Sequence, residues 1–160
     1  MMTVSEPSAV SAPDSPRSLR ITVYGQPAPQ GSKKFVGVIN GRGMLAESSK
    51  RVKPWRQDVV AAARDVVQGA PPLDGPLSVR MVFTLAKPTS APKRRRSWPN
   101  RKPDVSKLAR STEDALSTAG VWADDARVVE YTRLAKVFPN EDTEALQSPG
   151  VFIEIRVLMA

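Results

Sequence analysis

A chain of 160 residues has the length for one domain around one core. Its 24 Lys+Arg against 16 Asp+Glu leave a net charge of +8, which favours a polyanionic partner, either nucleic acid or an anionic membrane surface. With neither cysteine nor histidine, disulfides, thiolate zinc sites, cysteine nucleophiles, zincin motifs and serine triads with a histidine base are all excluded. Hydrolytic chemistry must then rest on carboxylates, lysine, tyrosine or a metal on oxygen ligands, and oxygen ligands point to Mg²⁺ or Mn²⁺ rather than zinc.

Residues 1–18 are rich in Ser, Pro and Ala and are expected to form a disordered tail ahead of a domain over 19–160. The N-terminal stretch lacks the early basic and apolar regions of a secretory signal, and no apolar run approaches the roughly 20 residues of a membrane span. The expectation is a cytoplasmic chain.

The alternation in Ile21–Tyr24 predicts a short strand, followed by the turn-rich, basic GQPAPQGSKK. Phe35–Ile39 and Met44–Ala46 read as two strands around the hairpin-like Asn40-Gly41-Arg42-Gly43. The spacing of Trp55, Val59, Ala62, Ala63, Val66 and Val67 predicts a helix over 55–67. Leu77–Leu85 alternates as a strand, and Lys87–Pro103 is a proline-rich cationic loop. A second helix is predicted from Asp104, a suitable N-cap, to Gly120, a suitable stop. Strands over 127–137 and 151–158 flank an acidic, polar loop over 139–150. This order predicts a single α+β domain, with a mixed β-sheet covered by one layer of two helices.

The basic charge is local. Between Lys87 and Arg110 lie nine cations and one acid, Asp104, whereas nine acids and four cations follow from Ser111 onward. Alone, Lys93-Arg94-Arg95-Arg96 reads as an ordinary solvated run. Trp98 among the cations offers a plane for stacking on a base, and arginine forks bind phosphate oxygens bidentately. The candidate DNA-binding residues are Lys93, Arg94, Arg95, Arg96, Trp98, Arg101, Lys102 and Lys107.

At 100° per residue, Val105, Leu108, Ala109, Thr112, Ala115, Leu116 and Ala119 share one face of the second helix, which should be buried. Ser106, Arg110, Glu113, Asp114 and Ser117 share the other. After Gly120 the chain turns back, which can bring Asp124 or Asp125 towards that polar side. Taken singly, Asp104 is an ordinary N-cap and Asp124-Asp125 an ordinary turn.

Together these residues carry a resemblance. The segment from Lys102 to Val129 resembles the core motif of the RusA family of Holliday junction resolvases, the RusA-like endodeoxyribonucleases. Asp104 matches the aspartate that opens the family's helix, Arg110 takes the place of its lysine, Asp114-Ala115-Leu116 matches its Asp-Ala-Leu, and Asp124-Asp125 matches its closing pair. Lys136 falls where family members often carry a lysine, which makes it a further DNA-binding candidate, and the resemblance extends weakly over residues 20–158. It implies a homodimer that binds four-way DNA junctions in recombination and repair and cuts them with Mg²⁺ or Mn²⁺. It further implies that Asp104, Asp124 and Asp125 hold the metal and that Arg110 joins them in catalysis. Ser106 stands where the family has its second aspartate, so a weakly active or inactive junction-binding protein remains the alternative. A general basic DNA- or RNA-binding module is a third reading.

Overall fold

In the computed structural model, residues 17–31, 33–39, 42–47 and 50–159 are described, with backbone alone for 33–39 and 42–47. Most of the expected tail and the hairpin turn residues 40 and 41 lie outside them. The strands are β1 (Ser18–Tyr24), β2 (Lys33–Ile39), β3 (Arg42–Glu47), β4 (Leu77–Thr84), β5 (Val128–Val137) and β6 (Gly150–Val157). The helices are α1 (Val52–Val67) and α2 (Val105–Thr118), and Asp125–Arg127 make one 3₁₀ turn.

Four strands form a mixed sheet in the order β1-β6-β4-β5, and β2 and β3 pair antiparallel as a separate ribbon. This is the α+β class expected. Arg42 and Gly43, expected in the hairpin turn, belong to β3. The parallel β4–β5 pair needs a long crossover, which the cationic loop and α2 supply. The basic segment and the polar face of α2 thus lie on one continuous connection.

β4 is one of the two inner strands and is covered on both faces. Leu77, Val79, Met81 and Phe83 enter the core with Ile21, Val23, Ile153 and Ile155 of the neighbouring strands. Its alternate residues meet the acidic loop instead: Arg80 donates to Glu144 at 2.8 Å, and the Leu146 amide donates to Thr84 Oγ1 at 2.8 Å. Gly150 is required where β6 passes β1, because a Cβ there would lie 2.0 Å from the Val23 carbonyl oxygen.

The helices close the core face. Leu108, Ala109, Thr112, Ala115 and Leu116 are buried as their spacing predicts, with Val105 and Ala119 packed at the margin. Ser111 is buried too, and its hydroxyl donates to the Ala28 carbonyl at 2.6 Å, tying the GQPAPQG segment to α2. α1 begins three residues earlier than expected. It buries Val52, Trp55, Val59 and Ala63 but leaves Val66 38% exposed. The Trp55 indole donates to Thr112 Oγ1 at 3.1 Å, so the one polar atom of that side chain is satisfied between the helices.

Candidate active site and nucleic-acid interface

The cationic loop is pinned by the acidic loop. Glu141 pairs with Lys87 and accepts from the Ser97 amide at 2.9 Å. Asp142, with its side chain only 7% exposed, takes two hydrogen bonds of 2.8 Å from Arg133 and one of 3.0 Å from Arg96. The guanidinium of Arg133 holds the Asp142 carboxyl well below the usual carboxylate range. Glu144 joins Arg133 and Arg80. Much of the acidity after Ser111 therefore serves as structural ion pairing.

This sorts the candidate DNA-binding residues. Lys93, Arg94, Arg95, Arg101 and Lys102 are exposed and make no ion pair among the described residues. Arg96 is bound to Asp142 and stacks on the Trp98 ring at 3.8 Å from its centroid. Lys136 donates to the carbonyls of Arg101 and Pro103 at 2.6 and 2.7 Å, which places it beneath the loop as a support. Lys107 lies 3.8 Å from Asp104. The role of the acidic loop was missed from sequence; the cluster Glu141-Asp142-x-Glu144 opposite a cationic loop was the available signal.

Asp104 is the residue before α2, and its carboxylate makes no capping bond. Asp124 and Asp125 lie past the other end. Asp124 accepts from the Ala126 amide at 2.8 Å, which lowers its pKa. Partial desolvation, the Asp124 carboxyl and then Asp114 hold the Asp125 carboxyl above its usual range, against the pull of Arg110. Glu113 is raised first by burial and further by Asp125, although the Tyr131 hydroxyl donates to it. Arg56 pairs with Asp114 at 2.9 Å and also donates to Gln30.

Asp125 thus lies close enough to the polar side of α2 to act on Glu113 and to be acted on by Asp114 and Arg110, an approach that the turn after Gly120 allows. Asp104 is not among the groups that perturb them. It is nine residues from Glu113, about 14 Å along a helix. Among the described residues, no three carboxylates are grouped as a ready metal cage. The donors still suit a hard cation: Mg²⁺ commonly uses one or two carboxylates with substrate phosphate. Desolvation first, and neighbouring carboxylates after it, raise Glu113 and Asp125, and a divalent ion would favour their charged forms.

A loop with five exposed cations that make no ion pair among the described residues, leading into a helix with carboxylates on its polar side, belongs to a nucleic-acid-acting α+β domain. Residues 24–156 match the family model described as endodeoxyribonuclease RusA. The chain belongs to this family of Holliday junction resolvase nucleases, which bind branched DNA and generally depend on a divalent metal. No curated protein shows significant similarity to it.

Proposed function

We propose that this protein is a Mg²⁺- or Mn²⁺-dependent endonuclease that resolves four-way DNA junctions as a homodimer, in cytoplasmic recombination and repair. The observation that carries the reading is the match of residues 24–156 to the RusA family model, with Asp125 acting on Glu113 beside Asp114 and Arg110 as its local support. Asp124 and Asp125 would hold the ion, with Asp104 as the further ligand implied by the resemblance. When bound, the ion supplies an activated water and neutralises charge developing on the phosphoryl group.

The protein's own groups do the remainder. Lys93, Arg94, Arg95, Arg101 and Lys102 hold the DNA backbone, and Lys136 fixes the loop that presents them. Arg110, exposed on α2 and near enough to Asp125 to lower its pKa, would stabilise negative charge developing at the phosphoryl group. With no histidine in the chain, no imidazole takes part.

Ser106 favours a second reading, a junction binder with little cleavage, because it is exposed on the same helix face as Arg110 and lacks a carboxylate. Incubation of labelled four-way junction and linear duplex with Mg²⁺, Mn²⁺ or EDTA decides between them. Paired cuts near the branch with metal, and none in EDTA, are expected. Binding without cuts under every condition would leave the second reading.

A further inference from the structure

Beside the N-terminus of α2 the cationic loop encloses a pocket of about 660 Å³, within the roughly 300–1,000 Å³ range of small-molecule sites. Its lining includes the buried Leu85, Phe138 and Pro99. Arg95, Arg101 and Lys102 line the pocket from exposed positions, and no carboxylate among the described residues lines it. Trp98, 58% exposed, forms part of the wall and already carries the Arg96 guanidinium on its ring. The hydroxyl of Ser97, another lining residue, is shielded from solvent and has no hydrogen-bond partner among the described residues. Pro103 is also part of the lining, and the next residue is Asp104.

We propose that this pocket takes one unpaired nucleobase of the DNA at the branch point, stacked against Trp98, with its flanking phosphates on Arg95, Arg101 and Lys102. This deepens the junction-binding reading and rests on it. Three features select such an occupant. An apolar concavity with an exposed aromatic plane suits a base, because every base has a stackable face. The cations at the mouth suit the phosphates on either side of that base. Pro103, the residue before Asp104, lines the pocket, so a base held there keeps the adjoining backbone near the start of α2. Duplex DNA stacks its bases inward and cannot fill the pocket without unpairing, whereas a branch point presents the bases least held by stacking.

The test measures affinity of the full chain in EDTA for three DNAs: a four-way junction, the same junction with abasic nucleotides at the branch, and a linear duplex. Trp98→Ala, which removes the exposed ring, and Ala91→Trp, which fills the cavity, should each weaken binding to the intact junction by about tenfold. Both should bind the abasic junction and the duplex like the unaltered protein, and Trp98→Phe should retain most of the junction affinity. If Ala91→Trp does not fold, the surface variants Trp98→Ala and Trp98→Phe still decide. Unchanged affinity of Trp98→Ala for the intact junction overturns the proposal, as does an equal loss on the abasic junction or the duplex. Metal-dependent junction cleavage that survives such a result leaves the nuclease reading standing while the pocket fails. If the unaltered protein shows no junction preference, the functional reading fails, and the pocket is then tested with single-stranded oligothymidylate. There, equal binding by Trp98→Ala and the unaltered protein overturns it.

Discussion

Asp125 sits in a field of its own sign. Its pKa is raised by partial desolvation and by Asp124 and Asp114, and it in turn raises Glu113. Asp125→Asn should therefore leave the metal-free fold as stable or slightly more stable, while abolishing junction cleavage and sparing junction binding. Thermal melts in EDTA and single-turnover cleavage check the two halves separately. Asp104→Asn should likewise remove cleavage and keep binding. Ser106→Asp adds a carboxylate one turn before Arg110, on the face shared with Glu113. It should raise Mg²⁺-dependent cleavage. If Asp104→Asn and Ser106→Asp both cut at the original rate, the metal is held elsewhere.

At the scale of elements, two loops of opposite charge make one unit. Asp142 is the joint, gripping Arg133 on β5 and Arg96 on the cationic loop. Its folded pKa lies below its ordinary value, so its stabilising contribution is fully present above about pH 4 and is lost as pH falls through the folded pKa. Asp142→Asn should cost about 1–3 kcal/mol at pH 7, a range that discounts a buried pair for the partial exposure of Arg133. The difference from the unaltered protein should shrink on acidification to pH 3. An equal difference at both pH values would remove the carboxylate charge as the cause.

The cationic loop makes a separate prediction. Replacing Arg94 and Arg95 with alanine should weaken binding to junction and duplex alike and flatten the log–log salt dependence by about 0.9 for each phosphate that is no longer neutralised. An unchanged slope would reduce these residues to a solvated run. Arg96 does not belong in that pair, because its removal also frees Asp142 and the Trp98 ring.

For the whole molecule, the separation of the acidic residues along α2 bears on assembly. Two oxygens on one Mg²⁺ lie no more than about 4 Å apart, whereas the nine residues from Asp104 to Glu113 span about 14 Å. Asp104 and Asp125 can serve one ion from within one copy or, in a dimer, from different copies, and the second arrangement makes its own prediction. Light scattering should then give about twice the 17.4 kDa chain mass. Mixing Asp104→Asn with Asp125→Asn chains should restore nicking, since the mixed dimer rebuilds one complete site. A monomer, or mixed chains as inert as either parent, would rule out sharing between copies.

Local pattern was enough for most elements. Period-two alternation marks β4 and β6, and the apolar spacing along α2 marks its buried face, because backbone periodicity and burial act within a few neighbouring residues. The segment from Lys102 to Val129 was enough to suggest the family, for its residues lie in one contiguous stretch. Only the tertiary structure decided which charges are available for a ligand. Arg96 and Lys136 read like their neighbours in sequence, yet one is bound to Asp142, 46 residues away, and the other holds carbonyls more than 30 residues away. Likewise, only the packed chain brings Asp125 to Glu113 and folds the loop into a pocket. Coulomb forces and hydrogen bonds depend on distance in space, and the linear order of residues does not specify that distance until the sheet and helices have closed.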